Sequence, residues 1–236
     1  MKKYTLEDVK KALRPRDAWW PVLVIDPIVI RLILPIANYT NITPNEISIA
    51  KFLIKLVSAY FFYKGDKFSL IIGAILFEIG FMCDCMDGIL ARLKNMITKF
   101  GIIFDKFEDH FSYVVLAFTL GWGQYRYTHD KIFIINSIIC IVLVLLNDYF
   151  DIFKPQAMDA IDSLRERLGK LENWLAKRRL IPIPSTIEWT QVLFVFAPIF
   201  GFIPIGYKIF IVAYIVMIVS KLITLLKLKI VKNLEK

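Results

Sequence analysis

Six stretches of this chain, at about residues 46–63, 68–92, 101–122, 131–150, 188–205 and 207–228, each approach the roughly 20 apolar residues that cross a bilayer as a helix. Inside hydrocarbon every backbone N–H and C=O must find a partner within the protein, and a run of this length meets that demand as an α-helix. The expected fold is therefore an all-α integral membrane protein with six transmembrane helices. Composition agrees: 57% of the side chains are apolar and 22% charged, which excludes a disordered chain. Cys83, Cys85 and Cys140 lie inside apolar runs and form neither an even framework nor a paired C-x-x-C, so they are read as small buried hydrophobes.

The segment before these runs has its own pattern. Thr5-Leu-Glu-Asp8 is a hydroxyl followed three positions later by an acid, a helix-start signal, and Leu6, Val9 and Leu13 would share one face of a short helix. Trp19 and Trp20 suit the membrane–water boundary. Residues 21–39 are apolar but hold Asp26 and Arg31. A charge at membrane depth costs about 2.5–3.5 kcal/mol, so this run is expected to lie in the interface as an N-terminal amphipathic helix. The first eighteen residues lack the apolar core of a signal peptide, so the chain is expected to start in the cytoplasm.

Orientation follows from Lys and Arg. Six fall in residues 1–21, three in 92–100, seven in 151–187 and five from Lys221 onward, all on one side. Five fall opposite: Lys64, Lys67, Arg126, Lys131 and Lys208. Both termini and the 151–187 connector are thus expected to face the cytoplasm. The net charge of +9 is read as these flanks, with no nucleic-acid partner. In the connector, Ile161, Leu164, Leu168, Leu171 and Leu175 step by three and four, with Arg165, Arg167, Lys170, Lys177, Arg178 and Arg179 around them. That describes an amphipathic helix on the inner leaflet or against its own domain, with a dimer seam as the sharper alternative. Residues 1–45 form the expected cytoplasmic N-terminus and interfacial helix, and 46–236 the six-helix membrane domain.

The chemistry is concentrated in Asp84-Cys-Met-Asp87-Gly88-Ile-Leu-Ala91-Arg92 and Gly101-Ile-Ile-Phe-Asp105-Lys-Phe-Glu-Asp109. On helices, Asp84, Asp87, Gly88 and Ala91 share one face, and Gly101, Asp105 and Asp109 share another. The link from Arg92 to Gly101 is short enough to make the two helices antiparallel neighbours, so the acidic faces can meet. Four carboxylates at membrane depth would cost on the order of 10–14 kcal/mol unmatched. Divalent cations would neutralise them, and hard oxygen donors without histidine favour magnesium, manganese or calcium over zinc. Gly88 and Ala91 leave room for a ligand, and Arg92 offers a planar fork to a phosphate. Such a set suits a pyrophosphate.

The spacing D-x2-D-G-x2-A-R-x8-G-x3-D-x3-D matches the signature of the CDP-alcohol phosphotransferase (CDP-alcohol phosphatidyltransferase) family at all eight positions, and Thr43-Pro44-Asn45 is similar to its lead-in. The resemblance implies a six-helix membrane enzyme, commonly a homodimer, with a site facing the cytoplasm. It implies transfer of a substituted phosphate group from a CDP-alcohol donor to an alcohol acceptor, with release of CMP. Asp84, Asp87 and Asp105 then resemble metal ligands. Asp109 resembles the general base and a ligand of a second metal, so that two Mg2+ or Mn2+ ions are expected. Gly88, Ala91 and Arg92 resemble donor contacts, and Gly101 resembles a nucleotide-side or helix-packing position.

Membrane burial favours a lipid participant, CDP-diacylglycerol or CDP-archaeol, in phospholipid synthesis. A soluble CDP-alcohol donor remains the alternative within the class, and a divalent-cation channel the alternative outside it. Lys51 and Lys55, one turn apart, are read as reaching toward the interface or the acidic site. His110 is read as a packing or interface histidine, and Asn147, Asp148 and Asp151 as helix-end polarity, with the lining of an acceptor pocket as the alternative.

Overall fold

Short polar signals decide where the helices begin. The structure, a computed structural model, describes residues 3–151, 169 and 171–234. Thr5 caps α1 (Leu6–Lys11) with a complete capping box: its hydroxyl accepts from the Asp8 amide and the Asp8 carboxylate accepts from the Thr5 amide. A π-helical turn at Pro21–Ile25 leads into α2 (Asp26–Tyr39). Thr43 and Glu46 form a second capping box at the start of α3 (Pro44–Lys64), with Pro44 in the first turn, where no N–H is needed. Asp66 caps α4 (Lys67–Leu93) and Thr98 caps α5 (Lys99–Thr128). After α6 (Ile132–Asp151), Ser185 and Glu188 form a third box on α7 (Thr186–Gln191). A π-turn at Val192–Phe196, α8 (Ala197–Phe200) and α9 (Ile203–Leu234) complete the order. Among the described residues the β pairing is one isolated parallel bridge, Asp17 to Leu180.

Among the described residues four segments are long and apolar enough to cross a membrane: Pro21–Tyr39, Lys67–Leu93, Ile132–Phe150 and Ile203–Leu226. The six expected runs map onto this set incompletely, for physical reasons. α3 and α5 are 21 and 30 residues long, but Lys51 and Lys55 on one and Asp105, Glu108 and Asp109 on the other dilute their apolar character. The fifth run is ended by Gly201, a left-handed cap (φ +78°), so that Thr186–Phe200, which includes the π-turn, is a shorter apolar helix. Residues 21–39, expected at the interface, have spanning length. Ile25, Val29 and Ile33 pack on Phe81, Met86, Ile89 and Leu90 of α4, and Arg179 meets the Asp26 carboxylate at 2.8 Å. The seam proposed for the connector falls mostly outside the described residues; of its members Leu171 is exposed and Leu175 buried.

The N-terminal segment is held more tightly than its polar sequence implies. Val9 is fully buried in the cluster formed by α2 and α4, while Leu6, on the expected apolar face, is exposed. Trp19 and Trp20 also depart from a purely interfacial role. Their indole N–H groups donate to Ile181 O (2.7 Å) and to Glu78 Oε1 (2.8 Å).

α3 packs between α4 and α5, α6 lies on α5, and α9 lies on α6. Where α3 ends, two backbones approach as closely as glycine permits. Gly65 takes a left-handed conformation (φ +80°), and a Cβ there would stand 2.2 Å from Gly123 O. A Cβ on Gly123 would stand 2.0 Å from Phe62 O, and Gln124 Nε2 donates to Gly65 O at 2.9 Å. Small residues at helix crossings supply the van der Waals contact that apolarity cannot supply in a lipid solvent. Phe62, Phe77, Leu116, Leu120, Phe194 and Tyr207 fill the adjoining core.

Gly123→Ala forces this crossing apart. The expected cost is about 1–3 kcal/mol, read as a lower midpoint of thermal unfolding in detergent micelles; an unchanged midpoint would contradict the close approach.

Candidate active site

The helix order brings three chain segments to one level. α4 approaches its C-terminal end where α3 and α5 leave their N-terminal ends. Asp84 and Asp87 on α4, Lys51 and Lys55 on α3, and Asp105, Glu108 and Asp109 on α5 therefore meet about two turns inside the same end of the bundle.

Lys51 is at the centre and its side chain is wholly buried. Its Nζ lies 2.6 Å from both Asp84 Oδ1 and Asp105 Oδ1, 2.9 Å from Glu108 Oε2 and 3.7 Å from Asp87 Oδ2. One turn on, Lys55 Nζ lies 3.0 Å from Glu108 Oε1 and 3.2 Å from Asp109 Oδ1. Asp84, Asp105, Glu108 and Asp109 each place a carboxylate oxygen within 4.8 Å of the others, and a group of this kind can hold a metal ion.

The sequence-derived quartet is gathered with one exchange. Asp84, Asp105 and Asp109 share the nest, but Glu108 joins it where Asp87 was expected. Asp87 turns toward α3, where the Ser48 hydroxyl donates to its Oδ2 at 2.6 Å. Glu108 is fully buried and also accepts from Ser112 Oγ at 2.8 Å. Its signal was present in the spacing: Gly101, Asp105, Glu108 and Ser112 step by four, three and four along one face.

The expected donor residues line two adjoining cavities. The wider, about 190 Å3, is bounded by Asn45, Ser48, Asp87, Gly88, Ala91, Arg92, Gly101 and Asp105. The N-terminal ends of α3 and α5 both open onto it, which favours an anion. The narrower, about 40 Å3, reaches Asp84, Gly88 and Arg92 from the side of the N-terminal segment. Gly88 is bare toward Arg92: a Cβ there would come 3.2 Å from Arg92 Nη1. A Cβ on Gly101 would come 3.0 Å from Asn45 Oδ1 and from Thr98 Oγ1. These glycines keep open the space between the two arms of the motif. Arg92 Nε donates to Ala12 O at 2.6 Å, fixing the direction of its fork.

His110 turns away from Asp109, and its Nε2 meets Asp148 Oδ2 at 3.0 Å. Asn147 is buried, and its Oδ1 accepts from Lys221 Nζ at 2.8 Å.

The sequence pattern that defines CDP-alcohol phosphatidyltransferases matches residues 41–162, more than half of the chain and the whole of the acidic motif. The chain belongs to the CDP-alcohol phosphatidyltransferase family. With its long apolar helices, this membership makes it an all-α membrane protein. Over 83 residues it is 35% identical to the archaetidylinositol phosphate synthase of Pyrococcus horikoshii, which covers 35% of this chain and 43% of that protein. Over 159 residues it is 30% identical to the bifunctional IPC transferase and DIPP synthase of Aquifex aeolicus, covering 65% of this chain and 35% of that protein. The matches thus span less than half the length of these relatives.

A solved phosphatidylinositol phosphate synthase of Mycobacterium tuberculosis, with CDP-DAG bound, has the same fold. Its TM-score is 0.59 at 21% identity, over 85% of this chain and 92% of that one. The same protein in complex with manganese and citrate gives a TM-score of 0.58.

Removing one partner of a buried charge network leaves the others uncompensated. Lys51→Met is therefore expected to destabilise the protein by about 3–5 kcal/mol, measured by unfolding in mixed micelles; wild-type stability in that variant would mean that the ammonium is not needed to hold α4 and α5 together.

Proposed function

We propose that this protein transfers a substituted phosphate group from a CDP-alcohol to the hydroxyl of a second alcohol and releases CMP, in phospholipid biosynthesis. The observation that carries the reading is the carboxylate nest from α4 and α5, which through Asp105 borders a cavity lined by Gly88, Ala91, Arg92 and Gly101. CDP-diacylglycerol or CDP-archaeol fits as donor, because the cavity opens at the end of a bundle whose outer faces are apolar. The CDP-DAG bound by the structural neighbour supports a lipid donor.

The donor set fits divalent metal. All of its ligating atoms are carboxylate oxygens, which hard cations such as Mg2+ and Mn2+ prefer. Five carboxylates (Asp84, Asp87, Asp105, Glu108 and Asp109) face two ammonium groups, Lys51 and Lys55, so the acids outnumber the cations around them. In this reading Asp84, Asp87, Asp105 and Asp109 would hold two ions, Asp87 reaching them from the cavity that Asp105 also lines, and manganese in the structural neighbour supports the choice. Bound metal supplies electrostatic stabilisation of the diphosphate and of the charge on departing CMP.

The protein's own groups do the rest. Gly88, Ala91 and Gly101 let the donor approach the helix backbones, and Arg92 binds a phosphate oxygen. Asp109 takes the proton of the acceptor hydroxyl as its oxygen forms the new bond to phosphorus. The bond from that phosphorus to the CMP oxygen breaks, and CMP leaves with the electron pair.

The finer architecture belongs to the same reading. It comprises six spans built on α3 to α9, a cytoplasmic N-terminal part in residues 1–45, and a catalytic domain in 46–236. Both termini and the site face the cytoplasm, and the enzyme is a homodimer. α2 belongs to the interface, with its exposed Ile28 and Leu32 toward lipid.

Purified full-length protein, given CDP-diacylglycerol or CDP-archaeol, Mg2+ and a panel containing inositol phosphate, glycerol 3-phosphate and serine, should release CMP with at least one acceptor. EDTA should stop the release. Asp109→Asn should lower turnover by about 100-fold or more. Unchanged turnover in that variant removes Asp109 as the base, and the absence of CMP release with every pair removes the reading itself.

A further inference from the structure

Arg14 lies outside the acidic motif, yet it borders both cavities beside Gly88, as Arg92 does. The backbone that carries it is fixed from several sides. Arg92 Nε donates to Ala12 O at 2.6 Å, and Arg179 Nε donates to Arg14 O at 2.9 Å. The amide of Asp17 donates to Arg179 O at 2.8 Å, and the amide of Ile181 donates to Asp17 O at 3.1 Å, closing the parallel bridge. Arg16 pairs with Glu172, and Trp19 Nε1 donates to Ile181 O. Pro15 restricts Arg14 to extended backbone.

The clasp carries strain of its own. Arg179 holds a left-handed conformation (φ +63°), which a non-glycine residue keeps only where its surroundings enforce it. The Arg14 side chain, by contrast, is 60% exposed, and its salt bridge is a long one, 3.8 Å from Nη1 to Asp17 Oδ1. A fixed main chain thus presents a planar cationic fork beside a second one, Arg92, across a glycine. Paired forks over a side-chain-free surface are the geometry that bidentate phosphate recognition uses.

We infer that Arg14 binds a phosphate of the CDP-alcohol donor together with Arg92, above Gly88. This rests on the donor reading given under the proposed function and adds to it a residue from the N-terminal segment. In this arrangement the end of the connector, through Arg179 to Ile181, holds the donor-binding arginine in place. Arg14 is a binding residue for the donor, and Arg179 positions it.

The test is calorimetric titration of the purified full-length protein, in Mg2+, with CDP and separately with cytidine. Arg14→Gln should weaken CDP binding about tenfold or more and leave cytidine binding unchanged, the loss expected for a charge-assisted pair. Arg14→Lys, which keeps the charge but loses the fork, should fall between. Lys10→Gln, an equal charge change on exposed α1, should match wild type. In turnover, KM for the donor should rise in Arg14→Gln with kcat changed far less.

Wild-type CDP affinity in Arg14→Gln overturns the inference while the donor reading stands. An equal loss for CDP and cytidine overturns it as well, since that marks a structural role. A rise in KM for a phosphorylated acceptor with CDP binding unchanged overturns it in favour of the acceptor. Failure of CDP to bind wild-type protein removes this inference and the donor reading together.

Discussion

A buried ammonium surrounded by carboxylates is the constraint from which the rest of this architecture follows. Lys51 has no access to solvent, and its charge is met by Asp84 and Asp105 from two different helices and by Glu108 at the base. Each of these groups alone would be costly in an apolar bundle. Together they set the depth, rotation and spacing of α3, α4 and α5. A one-residue slip of any of the three would turn its charges about 100° away and leave them unmatched.

The same arrangement links stability to chemistry. The acids that face Lys51 on one side face the cavities on the other: Asp84 the narrow one, Asp87 and Asp105 the wide one. A carboxylate held by a lysine on one side is fixed in place where it borders the cavity. Ser48 does this for Asp87 in a different way, by donating from α3. The helix bundle is thus a frame for oxygen atoms, and the glycines at positions 88 and 101 keep the intervening space free of side chains.

Much of this could be read from the chain. The spacing of Asp84, Asp105 and Asp109 places them on two helix surfaces that meet, because periodicity within a helix is local information, whereas Asp87, read from the same spacing, turns to Ser48 on α3. The helix start at Thr5 was legible from a hydroxyl and an acid three positions apart, and the same spacing recurs unremarked at Thr43–Glu46 and Ser185–Glu188. What depends on meetings between distant segments was less visible. Glu108 sits on the right face, but its place in the nest is decided by Lys51 and Lys55, more than fifty positions away. The fifth run looks continuous in composition, and only packing reveals the π-turn at Val192–Phe196. The tie between Asp17 and Leu180 joins segments with no shared pattern, so nothing in either one announces it.

The contact between Gly65 and Gly123 acts as a pivot for the far end of the bundle. Fourteen residues separate Gly65 from Lys51 on α3, and fourteen separate Gly123 from Asp109 on α5. At 1.5 Å per residue each arm is about 21 Å long. A scissoring of about 3° at the fulcrum therefore shifts lysine against aspartate by roughly 1 Å over such an arm. The gap between charged groups near one end of the bundle is in this way calibrated by two residues without side chains near the other.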